Sequence, residues 1–197
     1  SENLYFSMRS CQMEATDACT HPFIRNAIGA MEWGGCFMNR YMDRSNQSRH
    51  ARVTTDVFEL ATTILFQNPI QNFALAPNNL AQLNVPDGKE AGPAPEVCMN
   101  FLKSVPTTWS ETKLLDGYPG KYVALARKNG SKWYIAAVNA EDQPYKLNLD
   151  PAALGIDPNS LMMYTGGDKP ILTAPKVVNG KIPVTIMKND GVVFVTK

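Results

Sequence analysis

The spacing of apolar residues divides the chain into a helical first half and an all-strand second half. Val57, Leu60, Ala61, Ile64 and Leu65 fall at i, i+3, i+4, i+7 and i+8, one apolar face of a helix. Asp56 just ahead of that run, with Glu59 three residues on, predicts an N-cap and capping box. Asn68-Pro69 predicts the stop. Upstream, Asn26-Ala27-Ile28-Gly29-Ala30-Met31-Glu32-Trp33-Gly34-Gly35 is an apolar run broken by glycines, which reads as a buried strand with a polar residue near its end. A strand followed by a long helix is one β/α unit, too little to close a sheet or barrel, so this half reads as part of a larger domain. Residues 84–95 are rich in Pro and Gly and read as loop. A further helix is predicted over residues 96–103, stopped by Pro106.

The second half carries strand and turn signals. Residues 121–128 and 131–138 are strand-like runs around Asn129-Gly130, and a type I′ hairpin turn needs positive φ at both central positions. Asn179-Gly180, between Val177-Val178 and Lys181-Ile182, repeats the device. Lys188-Asn189-Asp190-Gly191, between Val184-Thr185-Ile186 and Val192-Val193-Phe194-Val195, gives a third hairpin signal. Pro183 belongs on an edge strand or at a bulge. The prediction is an antiparallel sandwich over residues 106–197 that folds on its own from about Thr107 onward.

Composition adds a second division. Before Lys89 the basic residues other than His are arginines, and after it they are lysines except for Arg127. A formal net charge of +1, with no basic stripe, disfavours nucleic acid and anionic membrane as partners. No apolar run approaches the ~18 residues of a membrane span. Residues 1–7, with Glu2-Asn3-Leu4-Tyr5-Phe6, read as a protease-cleavage tag scar and stay out of the fold reasoning. Cys11, Cys19, Cys36 and Cys98 form no C-x-x-C pair, and His21 and His50 add no zinc spacing, so the cysteines read as small buried thiols.

Glu14, Asp17, Glu32 and Asp43 are the carboxylates of the first half from which acid–base chemistry could be drawn, and spacing does not choose among them. A surface or ion-paired role is the plainer reading of Glu14. Glu32, set in the apolar run, needs a partner, for which Arg25 is available. Trp109, Tyr118, Tyr122, Trp133 and Tyr134 offer either a sugar-stacking platform or core, and core is the favoured reading. Trp133 and Tyr134 point to opposite faces of one strand, so at most one is expected in the core.

Arg9-Ser10-Cys11-Gln12-Met13-Glu14-Ala15, Thr20-His21-Pro22-Phe23-Ile24-Arg25-Asn26 and Gly29-Ala30-Met31-Glu32-Trp33 resemble glycoside hydrolase family 97. So do Phe66-Gln67-Asn68-Pro69, Phe73-Ala74-Leu75-Ala76-Pro77, Val105-Pro106-Thr107-Thr108-Trp109-Ser110-Glu111-Thr112-Lys113 and Gly117-Tyr118-Pro119-Gly120-Lys121-Tyr122, in the same order. The resemblance implies an α+β fragment: residues 8–105 as the remnant of a (β/α)8 catalytic barrel, then the C-terminal β-sandwich. It also implies hydrolysis of α-glucosides or α-galactosides by a secreted or periplasmic parent that binds calcium, with the fragment itself inactive and metal-free. Glu14 matches the family's general acid, which also places it at the calcium site, although Arg9 and Glu14 are five apart rather than three. His21, Arg25 and Glu32 match positions that bind substrate. The second carboxylate and most calcium ligands belong to upstream strands. A non-catalytic carbohydrate-binding or assembly sandwich stays open as the alternative. Loss of barrel neighbours around Ile28 and the Val57–Leu65 stripe predicts a homo-oligomer built through the first half.

Overall fold

The computed structural model describes residues 8–38, 52–74 and 94–197. The tag scar, Asp43 and residues 84–93 of the predicted loop lie outside the described residues. Helices and a pair of strands come first: α1 (Met8–Thr20), α2 (Arg25–Ile28), β1 (Trp33–Phe37), α3 (Asp56–Leu65), β2 (Gln71–Ala74) and α4 (Glu96–Leu102). Strands β3 (Glu111–Tyr118), β4 (Tyr122–Asn129), β5 (Lys132–Asn139), β6 (Tyr145–Leu149), β7 (Leu161–Thr165), β8 (Ile171–Thr173), β9 (Ile182–Ile186) and β10 (Asp190–Thr196) follow. β3 to β5, β7, β8 and β10 form an antiparallel sheet in the order β3-β4-β5-β10-β7-β8, and β6 pairs with β9 in a separate antiparallel ladder. β1 and β2 pair in parallel with α3 between them in sequence, one β-α-β step.

The six-stranded sheet is covered on both faces. Ala124, Ala126, Trp133, Ile135, Ala137, Val192 and Phe194 meet Tyr145, Leu147, Leu149, Ile182 and Ile186 of the β6–β9 ladder. Val123, Leu125, Tyr134, Ala136, Val138 and Val193, on the opposite face, share a core with Phe58, Leu60, Ala61, Ile64 and Leu65 of α3 and with residues of α1 and α4. Double cover explains why β4, β5 and β10 read as continuous apolar runs rather than an alternation. It also corrects the expectation for the aromatics: Trp133 and Tyr134 are both buried, one on each face.

Sequence change and core do not coincide. Helices end and strands begin near residue 106, yet one hydrophobic core crosses that point. The strand face turned toward the helices is apolar because the first half covers it. The same packing covers the α3 stripe expected to be bare: Val57, Leu60, Ala61, Ile64 and Leu65 are fully buried. Contact is close enough that a Cβ on Gly191 would lie 3.0 Å from the Phe58 Cα and 3.1 Å from the Ala137 carbonyl oxygen. A glycine there lets the helix backbone lie on β10.

Several local expectations shift. The N-cap of α3 is Thr55, whose Oγ1 accepts from the Phe58 N–H at 3.1 Å, and Asp56 is the first helical residue. The run around Ile28 divides into α2 and β1, and Ile28 is 86% exposed. At the β4–β5 turn only Gly130 has positive φ, because β4 already includes Asn129, so the central pair is Gly130-Ser131. Asn179 and Gly180 both have positive φ, as a type I′ turn requires. The third hairpin signal is no hairpin. β9 pairs with β6 while β10 pairs with β5 and β7, so the chain crosses between sheets at residues 187–189. Fully buried Asn139 holds the crossing: its Nδ2 donates to the Ile186 carbonyl at 3.1 Å and its carbonyl accepts from the Asn189 N–H at 2.8 Å.

Candidate functional site

Glu14 lies on α1, on the face turned into the core beside Cys11, Ala15 and Ala18, and is 1% exposed. Opposite it stands Glu59 of α3, fully buried. Thr54 joins them: its Oγ1 lies 2.5 Å from Glu59 Oε1 and 3.3 Å from Glu14 Oε2. Arg52, also buried, pairs with Asp56 and lies 3.6 Å from the half-exposed Asp168.

The electrostatics follow from that enclosure. Burial first, then the Glu59 carboxylate, push the Glu14 carboxyl well above the usual carboxylate range, and Arg52 and Thr54 only partly oppose this. Two carboxyls in hydrogen-bonding contact away from water cannot both ionise, so the pair holds one proton. Burial pulls Arg52 down, but the charges of Glu59 and Asp56 more than reverse it. Burial alone would make each of these groups costly, and mutual pairing is what keeps them in place.

Each expected site residue has a definite position. His21 is half-buried just past α1, edge-on to Phe66 with ring centroids 5.9 Å apart. Burial lowers its pKa, with Asp17 opposing. Arg25 and Glu32 are exposed. The structure therefore brings Glu14 together with Glu59, Arg52 and Thr54, and leaves Arg25 and Glu32 on the surface. Sequence reasoning missed Glu59 by assigning it to a capping box, and no spacing in the sequence marks it as buried. Among the described residues no group of three or more His, Cys, Asp and Glu side chains is placed to hold a metal. Arg52 already supplies the cation beside Glu14, so these residues do not fit a calcium site.

Glu14 and Glu59 are also not a glycosidase pair. Retaining enzymes hold their two carboxyls about 5–5.5 Å apart on either side of the scissile bond, with room for a sugar between them. Here the two touch. Three of the four cysteines are described in full, and Cys11, Cys19 and Cys98 are buried, as expected.

Residues 108–191 match the family described as Glycosyl-hydrolase 97 C-terminal, oligomerisation. A probable retaining alpha-galactosidase of Streptomyces bingchenggensis is 28% identical over 178 residues, which is 87% of this chain and 24% of that protein. By the family match, residues 108–191 are a glycoside hydrolase family 97 C-terminal domain. A retaining alpha-galactosidase of Bacteroides thetaiotaomicron is 26% identical over 59% of this chain and 16% of its own length. Among solved structures, a beta-arabinopyranosidase is 48% identical with a TM-score of 0.81, covering 98% of this chain and 29% of that one. A family 97 enzyme of Pseudoalteromonas, solved with acarbose, has a TM-score of 0.65 at 20% identity over 93% of this chain and 28% of its own, a likeness of fold. The chain spans less than a third of the length of each of these relatives.

Proposed function

We propose that this chain is the C-terminal part of a retaining glycosidase that removes α-galactosyl or β-arabinopyranosyl groups, and that residues 8–105 contribute to its catalytic barrel while residues 106–197 form the sandwich beneath it. The observation that carries the substrate is the 48% identity to a beta-arabinopyranosidase across nearly the whole chain, joined to the alpha-galactosidases among the relatives. The two sugars are close in shape. A β-L-arabinopyranoside has the ring configuration of an α-D-galactoside without the exocyclic hydroxymethyl group. An α-glucoside inverts one ring hydroxyl and is the weaker candidate.

In this reading Glu14 is the general acid, and its raised pKa is the property an acid needs: burial and the Glu59 carboxylate make it keep its proton to higher pH than an ordinary carboxyl, ready to give to the leaving oxygen. Access is what it lacks here, at 1% exposure. The partner carboxylate and the parent's calcium site are assigned to upstream segments, and the chain by itself is expected to be inactive. The test is the full-length protein on nitrophenyl β-L-arabinopyranoside, α-D-galactopyranoside and α-D-glucopyranoside. Cleavage of the first two well above the third is expected; preference for the glucoside would overturn the substrate assignment.

Assembly is a second role, favoured by the family description of residues 108–191. Ile171 and Leu172 are exposed on β8, at the edge of the six-stranded sheet. The stacking-platform alternative loses support, since among the described aromatics of this half Tyr118 alone is well exposed and Tyr122 stacks on Tyr145. If the β8 edge is the contact, Leu172→Lys converts the oligomer to a smaller species in light scattering; an unchanged mass would exclude it.

A further inference from the structure

Two buried arginines of this chain are treated differently. Arg52 is enclosed by carboxylates. Arg127, on β4, is 3% exposed and has no carboxylate beside it among the described residues. Its Nη1 donates to Thr112 Oγ1 at 3.1 Å and its Nη2 to the Leu65 carbonyl at 3.0 Å, both neutral acceptors, and its Nε has no partner among the described residues. Burial alone lowers its pKa to about 10, so it remains a cation at neutral pH. A buried cation held by neutral groups is costly unless something supplies the counter-charge.

Arg127 does not face solid core. It lines two adjoining grooves where the first half meets the sheet, one of about 200 Å³ with Pro22, Phe23, Asn26, Gln67 and Thr112, the other of about 250 Å³ with Thr107, Thr108 and Trp109. Gln67 and Thr112 border both. Asn26 fixes the shared wall by accepting from the Gln67 N–H at 3.1 Å. The indole Nε1 of Trp109 is a second buried donor without a partner among the described residues. The lining thus offers a fixed guanidinium, neutral hydroxyl and amide groups, and an indole. Each groove is smaller than the ~300–1,000 Å³ of a drug-sized site and suits one small ring.

We propose that this junction groove is a binding subsite for a uronic acid, with Arg127 receiving the carboxylate and Trp109, Gln67, Thr108 and Thr112 contacting the ring and its hydroxyls. A guanidinium takes a carboxylate in paired hydrogen bonds, which supplies both charge and orientation. A neutral sugar leaves the buried charge unanswered. Simple acetate answers it but leaves the groove unfilled. The inference stands apart from the role of Glu14, which lies in a different part of the core and lines neither groove.

Isothermal titration calorimetry of the 197-residue chain with D-galacturonate, D-galactose and acetate tests it. Saturable binding of galacturonate is expected, about tenfold or more tighter than galactose because of the charge-assisted pairing, and tighter than acetate because of the ring contacts. Arg127→Met should abolish the preference for galacturonate over galactose. Because Arg127 is buried and that variant can fail to fold, Thr108→Trp, placed on the exposed rim, provides a second check by filling the groove and removing binding while circular dichroism stays unchanged. No saturable galacturonate binding, equal affinity for galactose, equal affinity for acetate, or undiminished binding in a folded Thr108→Trp protein would each overturn the proposal.

Discussion

Glu14 shows how environment rather than residue type sets chemistry. A carboxyl on a surface helix would titrate near 4.3. Enclosed opposite Glu59, it keeps its proton to higher pH. The raised folded-state pKa means that its contribution to stability is complete below about 4.3 and is lost as pH rises through the folded value. His21 runs the other way. Its lowered pKa makes stability rise with pH through the histidine range. Subtracting the urea-unfolding stability of Glu14→Gln from that of the wild type isolates the first effect. The difference should fall as pH is raised from 4.5 to 8; a flat difference would mean that Glu14 is not held protonated. Arg52→Met leaves buried carboxylates without their cation and should cost about 3–5 kcal/mol, read as a drop in the urea midpoint. Little of this was legible in the sequence. Spacing showed carboxylates but not which would face each other, because the Glu14–Glu59 meeting depends on how α1 and α3 pack, 45 residues apart.

At the scale of elements, local signals did well wherever a local cause decides the outcome. The stripe Val57, Leu60, Ala61, Ile64 and Leu65 became the buried face of α3, and α4 stops before Pro106. Asn179-Gly180 formed the turn its residue types favour. Signals failed where pairing is non-local. The segment Lys188-Asn189-Asp190-Gly191 has the composition of a hairpin turn, but Asn139 draws the chain across to another sheet. Gly191 illustrates the same dependence on packing. Gly191→Ala puts a methyl 3.0 Å from the Phe58 backbone, and the overpacking should cost about 1–3 kcal/mol in a denaturant titration. An unchanged midpoint would show that α3 can move away from β10 at little cost.

For the molecule as a whole, the change from helices to strands near residue 106 was readable, whereas the shared core was not. A sandwich half-covered by helices has the same strand patterns as one that packs only on itself, until the second apolar face is recognised in runs such as Val123 to Ala126. Residues 107–197 expressed alone would therefore expose Val123, Leu125, Tyr134, Ala136, Val138 and Val193. Exposed faces of that kind favour association, so the segment should self-associate at micromolar concentration in light scattering. A monomer with a cooperative melt would contradict the shared-core account.

The family resemblance, rather than any spacing, singled out Glu14, and its role as the acid is the central claim. The most direct measurement compares Glu14→Gln with wild type in the full-length protein on two β-L-arabinopyranosides, one with a nitrophenyl leaving group and one with a simple alcohol. Protonation matters little for nitrophenolate and greatly for an alkoxide. The account predicts a modest loss of kcat/KM on the nitrophenyl substrate and a loss of about 10²–10⁴-fold on the alkyl one. Equal losses on both would show that Glu14 supports the fold through Glu59 and Arg52 and gives no proton to the leaving group.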